Sequence, residues 1–276
     1  MYSRLLSVTY YNHRIHLGGR MDLIENGKKV IYVSQDNYYL VNPIEASTIY
    51  YCDSATSCII IIATGYSSVH NNEIALISHL SRPGRFDDYF SIIEKNFDSS
   101  DMVKIFATGA NPPERYKKAS GGYDTTALNN ATQLISWLAA KHITLDQVSL
   151  RLGQGDPAIY DNDLDCYSIS FDEQKAMTVT NRRIYITQEQ RDPDQGLQTL
   201  FCIYGNPNFV RNQTDTFTEK EISVLVKAAR NAGLDEAAKM SDEEILNKYS
   251  STPEYEVPWF CDSIRQAANY VINYSL

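Results

Sequence analysis

The segment spanning residues 53–80, DSATSCIIIIATGYSSVHNNEIALISHL, decides the fold of this chain. It contains two apolar runs, residues 58–63 (CIIIIA) and 73–78 (EIALIS), separated by turn-prone polar residues. The isoleucine run does not alternate polar and apolar residues, which is typical of a strand buried on both faces at the centre of a sheet. We expect the two runs to pair as an antiparallel hairpin, which brings Cys58 and His79 to the same end of the sheet.

Short β-branched and aromatic runs outside this segment predict further strands, and apolar residues at helical spacing predict two amphipathic helices. The predicted strands are residues 29–34, 38–42, 47–52, 102–108, 148–152, 166–171 and 199–205, and the predicted helices are residues 86–97 and 128–142. Residues 188–196 (QEQRDPDQG) have the composition of a polar loop.

The last quarter of the chain is predicted to be helical. Thr218 with Glu221 and Ser241 with Glu244 have the spacing of capping boxes, and a terminal helix is predicted over residues 258–274. The sequence therefore predicts an α/β (α+β) fold in one domain over residues 1–276. Its core, about residues 29–205, is a central, largely antiparallel sheet flanked by helices, and a helical section of about residues 214–276 follows.

Composition excludes several classes of partner. The net charge is −9 with no block of basic residues, which disfavours nucleic acid and anionic membrane surfaces. No stretch has the ~20 apolar residues of a membrane span, and the first twenty residues lack the apolar core of a secretion signal. We therefore expect a cytoplasmic protein. The five cysteines show no CxxC pair, so we expect no disulfide framework and no metal site; they are Cys52, Cys58, Cys166, Cys202 and Cys261.

The pairing of Cys58 with His79 carries the possible chemistry. Hydrolysis of an amide needs a nucleophile, a base and donors for the oxyanion. A thiol is mostly protonated at neutral pH, so a neighbouring imidazole that takes the proton activates it. The backbone N–H groups of Cys58 and Ser57 are candidate oxyanion donors. The structural alternative is a core thiol at the start of one strand and a histidine at the end of the next.

Three stretches carry a resemblance to a known family: IYVSQDNYYLVNP (31–43), STIYYCDSATSCIIII (47–62) and ALISHL (75–80). They resemble the first half of the protein N-terminal asparagine amidohydrolases, which carry a D-x-A-T-[ST]-C signature followed by an apolar strand and a histidine that ends the next strand. The resemblance implies that Cys58 is the nucleophile and His79 its base. The activity it implies converts an N-terminal asparagine of a protein or peptide to aspartate through a thioester, without a cofactor. The arrangement is also similar to bacterial chemoreceptor glutamine deamidases and cytotoxic necrotizing factor toxins, which implies a deamidase-like sheet.

The sequence departs from that family after the histidine, where Leu80-Ser81-Arg82 replaces an expected acidic residue. Two alternatives therefore stay open: a deamidase of an internal glutamine or asparagine in a partner protein, and a non-catalytic binding module of the same fold. Asp53 is a candidate for binding the α-ammonium of the substrate, or for capping its turn. Thr56 and Ser57 are candidates for lining the substrate and oxyanion site or for orienting His79, or for forming the turn.

Overall fold

The computed structural model describes residues 23–98, 103–111, 116–118, 121–153 and 166–274. The predicted absence of a secretion signal concerns residues outside these ranges. The fold is mixed α/β with flanking helices and a helical C-terminal region, as the sequence predicted, and its strands form two mixed sheets.

The larger sheet has six strands and is built around the predicted hairpin. Its strands, in spatial order, are β10 (Val148–Leu152), β7 (Lys104–Gly109), β5 (Ile59–Ser67), β6 (Asn72–Leu80), β3 (Asn37–Val41) and β13 (Arg211–Asn212). The three central pairings, β7 to β5, β5 to β6 and β6 to β3, are antiparallel. The isoleucine strand β5 is therefore internal, which explains why it has no polar face.

A second sheet of five strands packs against the first. In spatial order its strands are β1 (Leu23–Glu25), β2 (Lys28–Tyr32), β4 (Thr48–Cys52), β11 (Tyr167–Phe171) and β12 (Met177–Asn181). The sequence predicted one central sheet; the structure divides the predicted strands between two. Apolar side chains of both sheets form the cluster between them, including Ile60, Ile62, Ile77, Tyr50 and Ile169.

Helices cover the other face of the six-stranded sheet. They are α1 (Pro83–Asn96) and α2 (Thr126–Ala140). Ile59 and Ile61 of β5 point to this side and pack with Phe86 and Leu134 of the two helices. A short hairpin, β8 (Tyr116–Lys117) with β9 (Tyr123–Asp124), precedes α2.

The C-terminal section forms its own apolar cluster. Its helices are α3 (Gln188–Arg191), α4 (Leu197–Tyr204), α5 (Glu219–Asn231), α6 (Asp242–Tyr249) and α7 (Phe260–Asn273), with 3₁₀ turns at Leu234–Lys239 and Pro253–Tyr255. Both predicted capping boxes, at Thr218 and Ser241, are present.

Two predictions in this region were wrong. Residues 199–205, predicted as a strand, lie in α4, because Leu197, Leu200 and Phe201 pack at helical spacing into the C-terminal cluster. Residues 188–196, predicted as a loop, begin with α3, where Thr187 and Gln190 form a capping box. The C-terminal helical cluster therefore begins at Leu197, earlier than the predicted 214.

Candidate active site

Cys58 and His79 lie at one end of the central hairpin and on the same face of the sheet. Ile60 pairs directly with His79, and directly opposed residues of an antiparallel pair point to one side. Cys58 directly precedes β5 and belongs to the same apolar cluster between the sheets as Ile60, so it lies on this side too. Both residues line a cavity of about 500 Å³.

A glycine holds the backbone at Cys58 in place. Gly109, the last residue of β7, has φ +114°, a conformation that side chains rarely adopt. A Cβ atom at this position would lie 2.3 Å from the carbonyl oxygen of Cys58. The next residue, Ala110, donates its N–H to that same oxygen at 2.8 Å. The turn that carries Cys58 is thus fixed against β7 by a close approach that requires glycine.

His79 is buried, with 1% of its surface exposed. Neither ring nitrogen has a hydrogen-bond partner among the described residues, so no hydrogen bond joins the imidazole to Cys58 and none orients it. Burial lowers the pKa of His79 to about 3, because desolvation disfavours the imidazolium. His79 is therefore a neutral imidazole throughout the neutral pH range.

The chain around His79 is fixed by a neighbouring carboxylate. The N–H of Asp36 donates to the carbonyl oxygen of His79 at 2.5 Å. The carboxylate of Asp36 accepts from the N–H of Ser81 at 2.9 Å and from its hydroxyl at 2.8 Å. It also pairs with Arg85 at 2.5 Å, and both side chains are fully buried. The sequence has no acidic residue directly after His79, but in the folded chain the carboxylate of Asp36 lies against that segment.

Asp53 is engaged in an ion pair. Its Oδ2 lies 2.7 Å from Nη2 of Arg191, and its Oδ1 accepts from the hydroxyl of Tyr32 at 2.8 Å. The side chain of Asp53 is fully buried, and burial raises its pKa while Arg191 and Tyr32 oppose that rise. Arg191 in turn lies over the ring of Trp259, at 4.1 Å from its centroid. The carboxylate therefore lines the cavity but already binds a guanidinium.

Thr56 and Ser57 both line the cavity and are both buried. The carbonyl oxygen of Thr56 accepts from the N–H of Asn111 at 2.6 Å. The hydroxyl of Ser57 lies 3.1 Å from that of Ser251 in the C-terminal section. The Thr56 contact joins the turn before Cys58 to the segment after β7, and the Ser57 contact joins the same turn to the opposite wall of the cavity.

The opposite wall comes from the C-terminal section, including Tyr249, Thr252, Val257 and Trp259. The cavity is therefore enclosed between the sheets and the C-terminal helices. All five cysteines are reduced. Cys202 also lines this cavity, and burial raises its pKa to about 12.

The structure contains two further features that bear on the class of protein. Within the ranges that are described, His, Cys, Asp and Glu side chains form no group of three or more that could hold a metal ion. No helix in the same ranges combines the length and apolar character needed to cross a bilayer.

Taken together, the geometry defines a buried cysteine and a buried histidine that share one cavity. No family model matches the sequence, and no curated protein is significantly similar to it. The resemblance to the asparagine amidohydrolases therefore remains a prediction from its motif.

Sequence reasoning missed Asp36, Arg191 and Trp259. Arg191 and Trp259 lie far from Cys58 in the chain and become neighbours of Asp53 only through the packing of the C-terminal section. Asp36 had a weak local signal, because it stands in a turn between two predicted strands where a polar residue is ordinary. Its φ of 62° is unusual for a residue other than glycine.

Proposed function

We propose that this protein is a cysteine amidohydrolase with Cys58 as nucleophile and His79 as general base. The observation that carries the proposal is that both side chains lie on one sheet face and line one cavity. The nucleophile is 6% exposed, so a substrate must bring a slim, extended group into the cavity. A linear side-chain amide has that shape, and the DSATSC motif points to an N-terminal asparagine as its source.

The proposed reaction proceeds in two steps. The Cys58 thiol transfers its proton to neutral His79 as sulfur attacks the amide carbon. The tetrahedral intermediate expels ammonia, which takes the proton from the imidazolium, and a thioester remains. His79 then takes a proton from water, hydroxide attacks the thioester, and the products are a carboxylate and the restored thiol. Backbone N–H groups of Ser57 and Cys58 are the proposed donors to the oxyanion.

His79 is in its proton-accepting form throughout the neutral range, but burial also makes it a weak base. The same burial makes the imidazolium unfavourable, so the substrate has to bring Cys58 and His79 into hydrogen-bond contact. Catalytic hydrogen bonds are often long in the absence of substrate and shorten in the productive complex.

A second candidate function is deamidation of an internal glutamine or asparagine in a partner protein. The ion pair between Asp53 and Arg191 favours it. An enzyme selective for an N-terminal residue needs an acceptor for the charged amine, and Asp53, the residue that the sequence suggested, already binds a guanidinium. An internal side-chain amide needs no such acceptor.

The test compares three peptides of the same length. One begins with asparagine, the second is its acetylated form, and the third carries an internal glutamine; ammonia release and mass report the conversion. We expect turnover of the first peptide, and none by Cys58→Ala. Cys261→Ser is the matched control, because this cysteine packs in the C-terminal cluster and does not line the cavity. Turnover of the glutamine peptide alone would replace the first candidate with the second. Unchanged turnover by Cys58→Ala would refute both.

A further inference from the structure

Asn130 is a polar residue in the apolar stripe of helix α2. It follows Ala127 by one turn and precedes Leu134 by another, and all three side chains are buried. Asn130 itself has no exposed surface. Its Nδ2 donates to the carbonyl oxygen of Ser57 at 2.9 Å and to that of Ser81 at 2.9 Å. Both hydrogens of the side-chain amide are therefore used, each on a different strand of the hairpin.

These two carbonyls stand where the backbone ladder of the hairpin stops. The last ladder pair is Ile59 with Leu80. Ser57 directly precedes Cys58 in the chain, and Ser81 follows His79 by two residues. Beyond the ladder, the N–H groups of the two strands no longer hold the strands together, and the amide of Asn130 bridges them instead.

We propose that Asn130 is a positioning residue that fixes Cys58 relative to His79. The proposal rests on the proposed function, because it assigns Asn130 an effect only through the cooperation of those two residues. Asp36 fixes Ser81 from the other side through its carboxylate. Among the described hydrogen bonds, those of Asn130 are the only ones from helix α2 that reach the ends of both strands. A misplacement of about 1 Å between reacting groups can lower a rate ~10²-fold.

The test is a double-mutant cycle read by alkylation of Cys58 with iodoacetamide, a small amide that takes the place of the substrate amide in bringing Cys58 and His79 into contact. Four proteins are compared at neutral pH by mass spectrometry after treatment with iodoacetamide: wild type, Asn130→Ala, His79→Ala and the double variant. We expect Asn130→Ala to slow labelling of Cys58 about tenfold in the wild-type background and to change it less than about twofold in the His79→Ala background. A non-additive effect of this kind in a double-mutant cycle shows that two residues act in one network.

Asn130→Asp provides a second variant of the same size, whose carboxylate cannot donate to both carbonyls. Asn129→Ala is the matched control, since the neighbouring asparagine is exposed and bonds only to Thr125 in its own helix among the described contacts. We expect Asn129→Ala to label as wild type does.

An equal change in both backgrounds, in either direction, would overturn the proposal, because loss of local packing would act without His79. Wild-type labelling by Asn130→Asp would overturn it as well. Failure of the proposed function appears separately: no peptide would be hydrolysed by the wild type, whatever the alkylation cycle shows. With a hydrolysed peptide in hand, both Asn130 variants should lower kcat about 10²-fold, and the pH profile of kcat/KM should approach that of His79→Ala.

Discussion

Lowering the pH from about 7 to 5 should destabilise this protein through His79, and the magnitude follows from the burial of that side chain. His79 is 1% exposed, and burial lowers its pKa to about 3, whereas in the unfolded chain a histidine has a pKa of about 6.5. The unfolded chain therefore binds the proton first. The contribution of neutral His79 to stability is fully present above pH ~6.5 and is lost as the pH falls toward 3. The pH of 5 is about 1.5 units below the pKa of histidine in the unfolded chain, so protonation stabilises the unfolded chain by roughly 2 kcal/mol.

The assay is urea unfolding at the two pH values for wild type and His79→Asn, which has a polar side chain that does not titrate. We expect the wild type to lose about 2 kcal/mol more than the variant between pH 7 and 5. His142→Asn is the control, since this histidine is exposed and its replacement should leave the pH dependence as in wild type. An identical loss in wild type and His79→Asn would refute the reasoning, since His79 would then not be a neutral buried group.

Iodoacetamide should label Cys58 before Cys202, although both line the cavity. Thiolate is the reactive form of a cysteine, and burial raises the pKa of Cys202 to about 12. Labelling of Cys202 first, read by peptide mass mapping, would contradict this order. Asp53→Asn should lower the free energy of unfolding by ~3–5 kcal/mol, because it leaves Arg191 buried without its partner. A normally stable variant that loses only the turnover of unacetylated peptides would instead support binding of the substrate amine by Asp53. Gly109→Ala should lower the free energy of unfolding in urea by at least about 2 kcal/mol. The new Cβ would lie 2.3 Å from the Cys58 carbonyl oxygen, and the φ at this position is strained for alanine. Wild-type stability would show that the turn carrying Cys58 can shift.

Local pattern was enough to predict the central hairpin. The isoleucine run predicted an internal strand, and β5 is internal, paired with β6 in the register that brings Ile60 opposite His79. That register follows from strand alternation and a short connection, both of which are written locally in the sequence. The location of Cys58 and His79 at the same end of the sheet was predictable for the same reason.

Predictions that depend on distant packing failed. Residues 199–205 have β-prone aromatic and branched side chains, yet they lie in helix α4, because Leu200 and Phe201 bury against α5 and α7. Periodicity cannot separate a short buried helix from a buried strand. The division of the strands between two sheets was not visible either, since the sequence contains no signal for which strands are neighbours when long connections separate them.

A polar residue on a buried helix face is the one signal in the sequence that could have revealed more of the site. Asn130 interrupts the apolar stripe of a predicted helix, and a buried amide must find partners. It finds them in the two strand ends that flank Cys58 and His79. Nothing comparable marked Arg191, which stands among polar residues in a segment predicted as a loop.

Asp53 is where the structure changes the functional interpretation most. The sequence offered two roles, capping a turn or binding a substrate ammonium, and the described hydrogen bonds give a third, an ion pair with Arg191. A substrate amine at Asp53 would have to compete with a guanidinium 2.7 Å away that also rests on Trp259. Removing one partner of a buried pair is costly, so that competition disfavours selectivity for a charged N-terminus. The comparison of free and acetylated peptides therefore tests the substrate class, while the unfolding of Asp53→Asn tests the ion pair. Selectivity for the free amine, together with a large loss of stability in Asp53→Asn, would mean that the amine is bound elsewhere in the cavity.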